Sequence, residues 1–125
     1  MTFEDITVHE VVVEPGASAD SFRFIFQLSR VPERFWPECF MSDYNAQSNL
    51  RRMDLTDDRL QIALPETEAE AYAAVVKQTI GRANAAYRAE QARRIAEQQA
   101  RLDGEQRRQV RAAELRQQAK AVLGI

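Results

Sequence analysis

The chain is poor in the residues that most often carry chemistry: one cysteine and one histidine in 125 residues. A lone Cys39 closes no internal disulfide and cannot supply the paired thiolates of structural zinc sites, which excludes a disulfide-stapled secreted fold. Glycine is also scarce. Gly16, Gly81, Gly104 and Gly124 lie far apart, so there is no phosphate-cradling loop, dinucleotide fingerprint or serine nucleophile elbow. No run of about 18 apolar residues exists to form a membrane-spanning helix. The start, MTFEDITVHEVVVEPG, carries acids where a secretory peptide needs bases. These absences lead to the expectation of a cytoplasmic protein, away from membranes and without a bound cofactor.

Aromatic residues are nearly missing from the last third. Nine of the ten precede residue 73 and Tyr87 is the last. Burial of large apolar groups stabilises a core by roughly 25 cal/mol per Å², so the core has to come from residues 3–87. The net charge of −2 conceals a polarity along the chain: residues 1–80 hold 7 bases and 14 acids, residues 81–125 hold 10 bases and 5 acids. Ala, Arg, Gln and Glu fill 31 of those last 45 positions. The expected organisation is a compact α+β domain over 1–87 followed by a polar, basic helical extension over 88–125.

Ile6 to Val13 has strand composition, with Ile6, Val8 and Val12 on one face and Thr7, His9, Val11 and Val13 on the other. Ser21 to Ser29 alternates more regularly, Phe22, Phe24, Phe26 and Leu28 against Arg23 and Gln27. Between them Pro15-Gly16 suits a type II turn, with Gly16 taking the positive φ, so the two strands predict a hairpin. A short helix is expected near 32–42, from Pro32, with Trp36 and Phe40 one turn apart and Pro37 as a kink. Asp43–Asn49 reads as a polar loop and Leu50–Asp54 as a short strand. Thr56-Asp57-Asp58 reads as a turn, and Arg59–Leu64 as a strand with Leu60, Ile62 and Leu64 in step.

A long C-terminal helix is predicted from Pro65-Glu66-Thr67-Glu68-Ala69-Glu70, where Thr67 and Glu70 have capping-box spacing. Its stripe of Tyr72, Val75, Val76, Thr79, Ile80, Ala83 and Tyr87 can cover a sheet. Past Tyr87 the stripe fades and specifies no coiled-coil seam. Glu90/Arg94, Glu97/Arg101 and Asp103/Arg107 then offer local ion pairs, and Asp103-Gly104 invites a break. The fold class is thus α+β, a small antiparallel sheet of three to four strands packed against one long helix.

Few constellations favour catalysis. His9 and Cys39 would have to act as base and nucleophile with no third group to orient them, and both read better as structural residues. Asp54, Asp57 and Asp58 could hold a hard cation, but their spacing matches no calcium loop and suits a turn. Phe22, Phe24 and Phe26 resemble a base-stacking platform less than a covered sheet face, because their domain is acidic. Tyr44 and the 45–49 loop could line an enzyme pocket, yet nothing selects a reaction. The expected role is therefore a non-enzymatic interaction module, a homodimer or a partner of another protein, because a small open sheet leaves edges to pair. Its partner-binding candidates are Arg93, Arg94, Arg101, Arg107, Arg108 and Arg111 on the basic helix. The alternative is a nucleic-acid-binding accessory role for the same arginines.

Overall fold

Among the described residues four strands form one antiparallel sheet: β1 (Val8–Pro15), β2 (Ser21–Leu28), β3 (Asp54–Thr56) and β4 (Arg59–Pro65), in the spatial order β1-β2-β4-β3. Two helices complete the fold, α1 (Trp36–Ala46) and α2 (Ala69–Leu123), the latter preceded by a 3₁₀ turn at Glu66–Glu68. The computed structural model describes residues 3–125. The chain divides into two compact units, Met1–Arg88 and Ala89–Ile125.

The two-residue period decides which side of the sheet is covered. Phe26 opposes Leu60, Phe24 opposes Ile62 and Phe22 opposes Leu64, so these side chains share one face. Leu60, Ile62 and Leu64 are buried, and with Phe26 and Leu28 they join Tyr72, Val76, Ile80 and Ala83 of α2 in a single apolar cluster. The stripe on α2 therefore covers the face that the alternation in β2 and β4 defines.

The hairpin forms with a different turn from the expected one. Gly16 does not take a positive φ; Gly124 is the only glycine of the described residues that does. The Gly16 N–H donates to the Ser21 carbonyl at 2.8 Å, and a Cβ on Gly16 would lie 2.7 Å from that oxygen. Glycine is needed there for close approach between two backbone segments.

Several boundaries move for identifiable reasons. Strand β1 starts at Val8 rather than Ile6, and its register slips between Val8 and Glu10. This bulge gives β1 one extra residue at His9. Val8, opposite Leu28, and Val11, opposite Phe26, consequently share the helix-facing side, where simple alternation would separate them. Helix α1 begins at Trp36, not Pro32, which puts Pro37 in the first turn. There its missing N–H costs no intrahelical bond, and no kink results. The helix runs to Ala46 through most of the expected polar loop. The strand expected at 50–54 forms at Asp54–Thr56, where Asp57, at φ 54°, makes the tight return to β4. The Thr67 capping box does not form: Glu66–Glu68 is 3₁₀ without a side-chain cap, and Arg51 engages Glu68 through bonds of 3.0 and 2.7 Å. Gly104 interrupts nothing, because α2 is helical on both sides of it.

One buried amide ties three segments of the first unit together. Asn84 Oδ1 accepts from the Ile6 N–H at 3.1 Å and from Trp36 Nε1 at 2.9 Å, and Asn84 Nδ2 donates to the Ile6 carbonyl at 2.9 Å. Helix α1 lies antiparallel to α2, with Trp36 at Asn84, Asp43 at Arg82 and Gln47 at Thr79. Trp36, Phe40 and Tyr44 are buried in sequence along α1, ring over ring. The segment after α1 is held by two phenols: Tyr44 donates to the Arg51 carbonyl, and the Arg51 N–H donates to the Tyr72 hydroxyl at 2.9 Å. Burial, with Tyr72 nearby, pushes the Tyr44 phenol up to about 12, so it remains a donor.

Asn84→Ala would orphan the Trp36 indole N–H and both backbone groups of Ile6. The expected loss is about 2–3 kcal/mol, seen as a melting temperature lower by roughly 10 °C. A thermal melt within 2 °C or so of the parent would show that water replaces the amide without cost.

Candidate functional site

The sheet has two edges, and they are managed differently. β3 is three residues long, a common way of blunting an edge. β1 is eight residues long and exposed along nearly its whole length. Val8, Val11, Val12 and Val13 are 36%, 47%, 41% and 50% accessible. Val11 and Val13 face the helix side with Phe26 and Phe24, and Val12 faces the other side with Ile25. The α2 stripe reaches β2 and β4 but leaves these valines in solvent.

The free backbone groups of β1 follow from the ladder. Gly16 bonds to Ser21, and the residues opposed in step with that pair are Glu14 with Arg23, Val12 with Ile25 and Glu10 with Gln27. In an antiparallel ladder every second residue points its N–H and C=O at the neighbour. Val11 and Val13 therefore direct theirs outward. Pro15, next in the outward series, offers only its carbonyl.

Beside this edge runs an apolar groove of about 470 Å³ within the first unit, between β1 and α2. Val8 and Val11 form one wall, Val76 and Ile80 the other, and Ile6 and Phe26 the floor. Ala73 and Gly81 are too small to fill it, and Lys77 is its one cation. Nothing lies within 4 Å of a Cβ built on Gly81. The volume is in the range of small-molecule and side-chain pockets. An unpaired strand edge beside an apolar groove can hydrogen-bond an added strand along its backbone and accept every second side chain of that strand.

The arginines of the basic helix differ among themselves. In the second unit Arg93 bonds to Glu90 and Glu97, Arg94 to Glu90, and Arg111 to Glu114. Two of the expected pairs do not form, because Glu97 turns to Arg93 and Asp103 accepts from Gln99. Among the described residues, Arg101, Arg107 and Arg108 make no ion pair within 4 Å. Arg94, Arg101 and Arg108 are seven residues apart and so share one face of the helix. Ile95, Leu102, Val110 and Leu115 are exposed beside them.

The other candidates are accounted for locally. His9 lies in the exposed bulge of β1, and Cys39 sits half-buried on α1 against the core. Asp54 pairs with Arg52 at 3.4 Å, and the Asp58 carbonyl accepts from the Leu28 N–H at 2.7 Å. Among the described residues no three His, Cys, Asp or Glu side chains converge as a metal site would require. Phe26 is buried and Phe24 packs against the core. Tyr44 is buried in the core and donates to the Arg51 carbonyl. The valine edge and groove were missing from the sequence-level candidates. Their signal was the unbroken Val11-Val12-Val13 run, apolar on both faces of a strand when only one face has a cover.

No protein-family model matches the chain, and neither a curated protein nor a solved structure shows significant similarity to it.

The hydrogen bonds of Arg93 and Arg94 hold the Glu90 carboxyl at about 2, well below its ordinary 4.5. Its contribution to the helix is complete above pH 4.5 and is lost as pH falls through about 2. Carbonyl ¹³C titration should place Glu90 near that lower value. A midpoint near 4.5 would mean that Arg93 and Arg94 do not engage Glu90 in solution.

Proposed function

We propose that this protein is a non-enzymatic interaction module that self-associates as a homodimer and offers its basic C-terminal helix to a further protein partner. The observation that supports this reading is the β1 edge: eight residues long, valine-rich on both faces, with outward backbone groups and an apolar groove alongside. Exposed apolar edges of this kind are normally paired or blunted, and pairing is a form of recognition that needs no catalytic group. A single thiol and no disulfide suit a reducing compartment, which supports a cytoplasmic setting. Sedimentation equilibrium at micromolar concentration should give twice the 14.3 kDa chain mass. A monomer that melts in one cooperative transition at that concentration would refute self-association.

A second reading assigns the basic helix to nucleic acid, and the specific observation behind it is the unpaired set Arg101, Arg107 and Arg108. Phosphate contacts release counterions, so binding would weaken steeply with salt. Replacing these three arginines with alanine would then lower the slope of log K against log salt by about one for each contact removed. Absence of any shift of RNA or DNA at low salt would end this reading.

A further inference from the structure

We infer that the homodimer forms by antiparallel pairing of β1 with β1 of a second copy about a two-fold axis at Val11, and that Val11 and Val13 of the second copy complete the groove between β1 and α2. The inference rests on the self-association reading and adds its surface, its register and its occupant.

Symmetry restricts the register. Two identical strands paired antiparallel about an axis normal to the sheet keep each side chain on its own face, so the axis must pass through a residue opposite its own copy. An axis at Val12 would set Glu10 directly against Glu14 of the second copy, twice, and like charges directly opposite each other are destabilising. An axis at Glu10 would oppose that carboxylate to itself. An axis at Val13 would spend outward bonds on Pro15, which has no N–H. With the axis at Val11, the outward N–H and C=O of Val11 bond to their own counterparts, Val12 lies opposite Glu10, and no direct pair carries like charge. Glu14 is already engaged by Arg23 within its own chain.

The same register places apolar side chains where the groove is empty. Val11 and Val13 are on the helix-facing side of β1, and the two-fold axis keeps those of the second copy on that side. Val11 of the second copy then lies beside the Val11 wall. Its Val13 runs past the bulge toward Val8, which the bulge has turned into the groove. Ala73 and Gly81 leave room for them. The exposed valines and the unfilled groove thus satisfy each other, and each is present twice, as an isologous interface requires.

The test is disulfide trapping in full-length protein carrying Cys39→Ser. Directly opposed hydrogen-bonded residues have Cα atoms about 5.5 Å apart, within the range of roughly 4.4–6.8 Å for a disulfide. Val11→Cys should therefore give mostly cross-linked dimer under mild oxidation. Val12→Cys, diagonal to its counterpart at about 7–8 Å, should cross-link little, and Leu102→Cys on the basic helix should not. Val11→Lys, at a half-exposed position, should weaken the dimer at least tenfold while leaving the thermal unfolding of the monomer in place. A dimer by sedimentation that traps at Leu102→Cys or Val12→Cys but not at Val11→Cys would overturn this register while self-association stood. A monomer for the parent chain would overturn both.

Discussion

The buried amide of Asn84 is the point on which the first unit depends. Its oxygen uses both lone pairs, one on the Ile6 N–H and one on the Trp36 indole, and its nitrogen returns a bond to the Ile6 carbonyl. A polar group in that position costs free energy unless every partner is present. The arrangement is therefore either complete or absent. It fixes the rotation of α2 about its axis, because only one rotation puts residue 84 inward at Ile6 and Trp36 together. Once that rotation is set, Tyr72, Val76, Ile80 and Ala83 follow at helical spacing onto β2 and β4.

That rotation also decides what is left uncovered. A helix presents an apolar stripe of limited width, and this one is used up on the two central strands and α1. β1 lies beyond its reach. The bulge at His9 then turns Val8 and Val11 to the same side, where the small residues Ala73 and Gly81 leave the groove open. The exposed valines and the groove are thus two results of one geometric limit.

Much of this was readable from residue order. The alternation of β2, the Leu60-Ile62-Leu64 period of β4 and the stripe on α2 are local patterns with one covered face, and each forms as its periodicity predicts. The errors occur where a distant residue or a special backbone geometry intervenes. Thr67 loses its capping role because it lies inside the 3₁₀ turn Glu66–Glu68, whose Glu68 is held by Arg51 from 17 positions away. Pro37 belongs to a first turn because α1 starts later than its apolar spacing suggests. The bulge has no composition signal of its own, so the face assignment of Val8 relative to Val11 could not be read in advance. The Asn84 contact spans 78 positions to Ile6, and no linear pattern announces it. For the candidate surface, the basic helix was visible as composition, but the glutamates that tie down Arg93, Arg94 and Arg111 distinguish them from Arg101, Arg107 and Arg108 only in three dimensions.

The ring of Phe3 lies 4.5 Å from that of Tyr87, and Tyr87 stacks on Phe35 at 4.6 Å. The earliest described residue and the last aromatic one therefore close the same core. The residues of the hairpin, α1 and the β3–β4 return all precede Tyr87 in the chain, so this contact closes only after every one of them has been synthesised. Non-local closure of this kind slows folding, and the phenylalanines of β2 have no cover until the stretch of α2 from Tyr72 to Ala83 has been made.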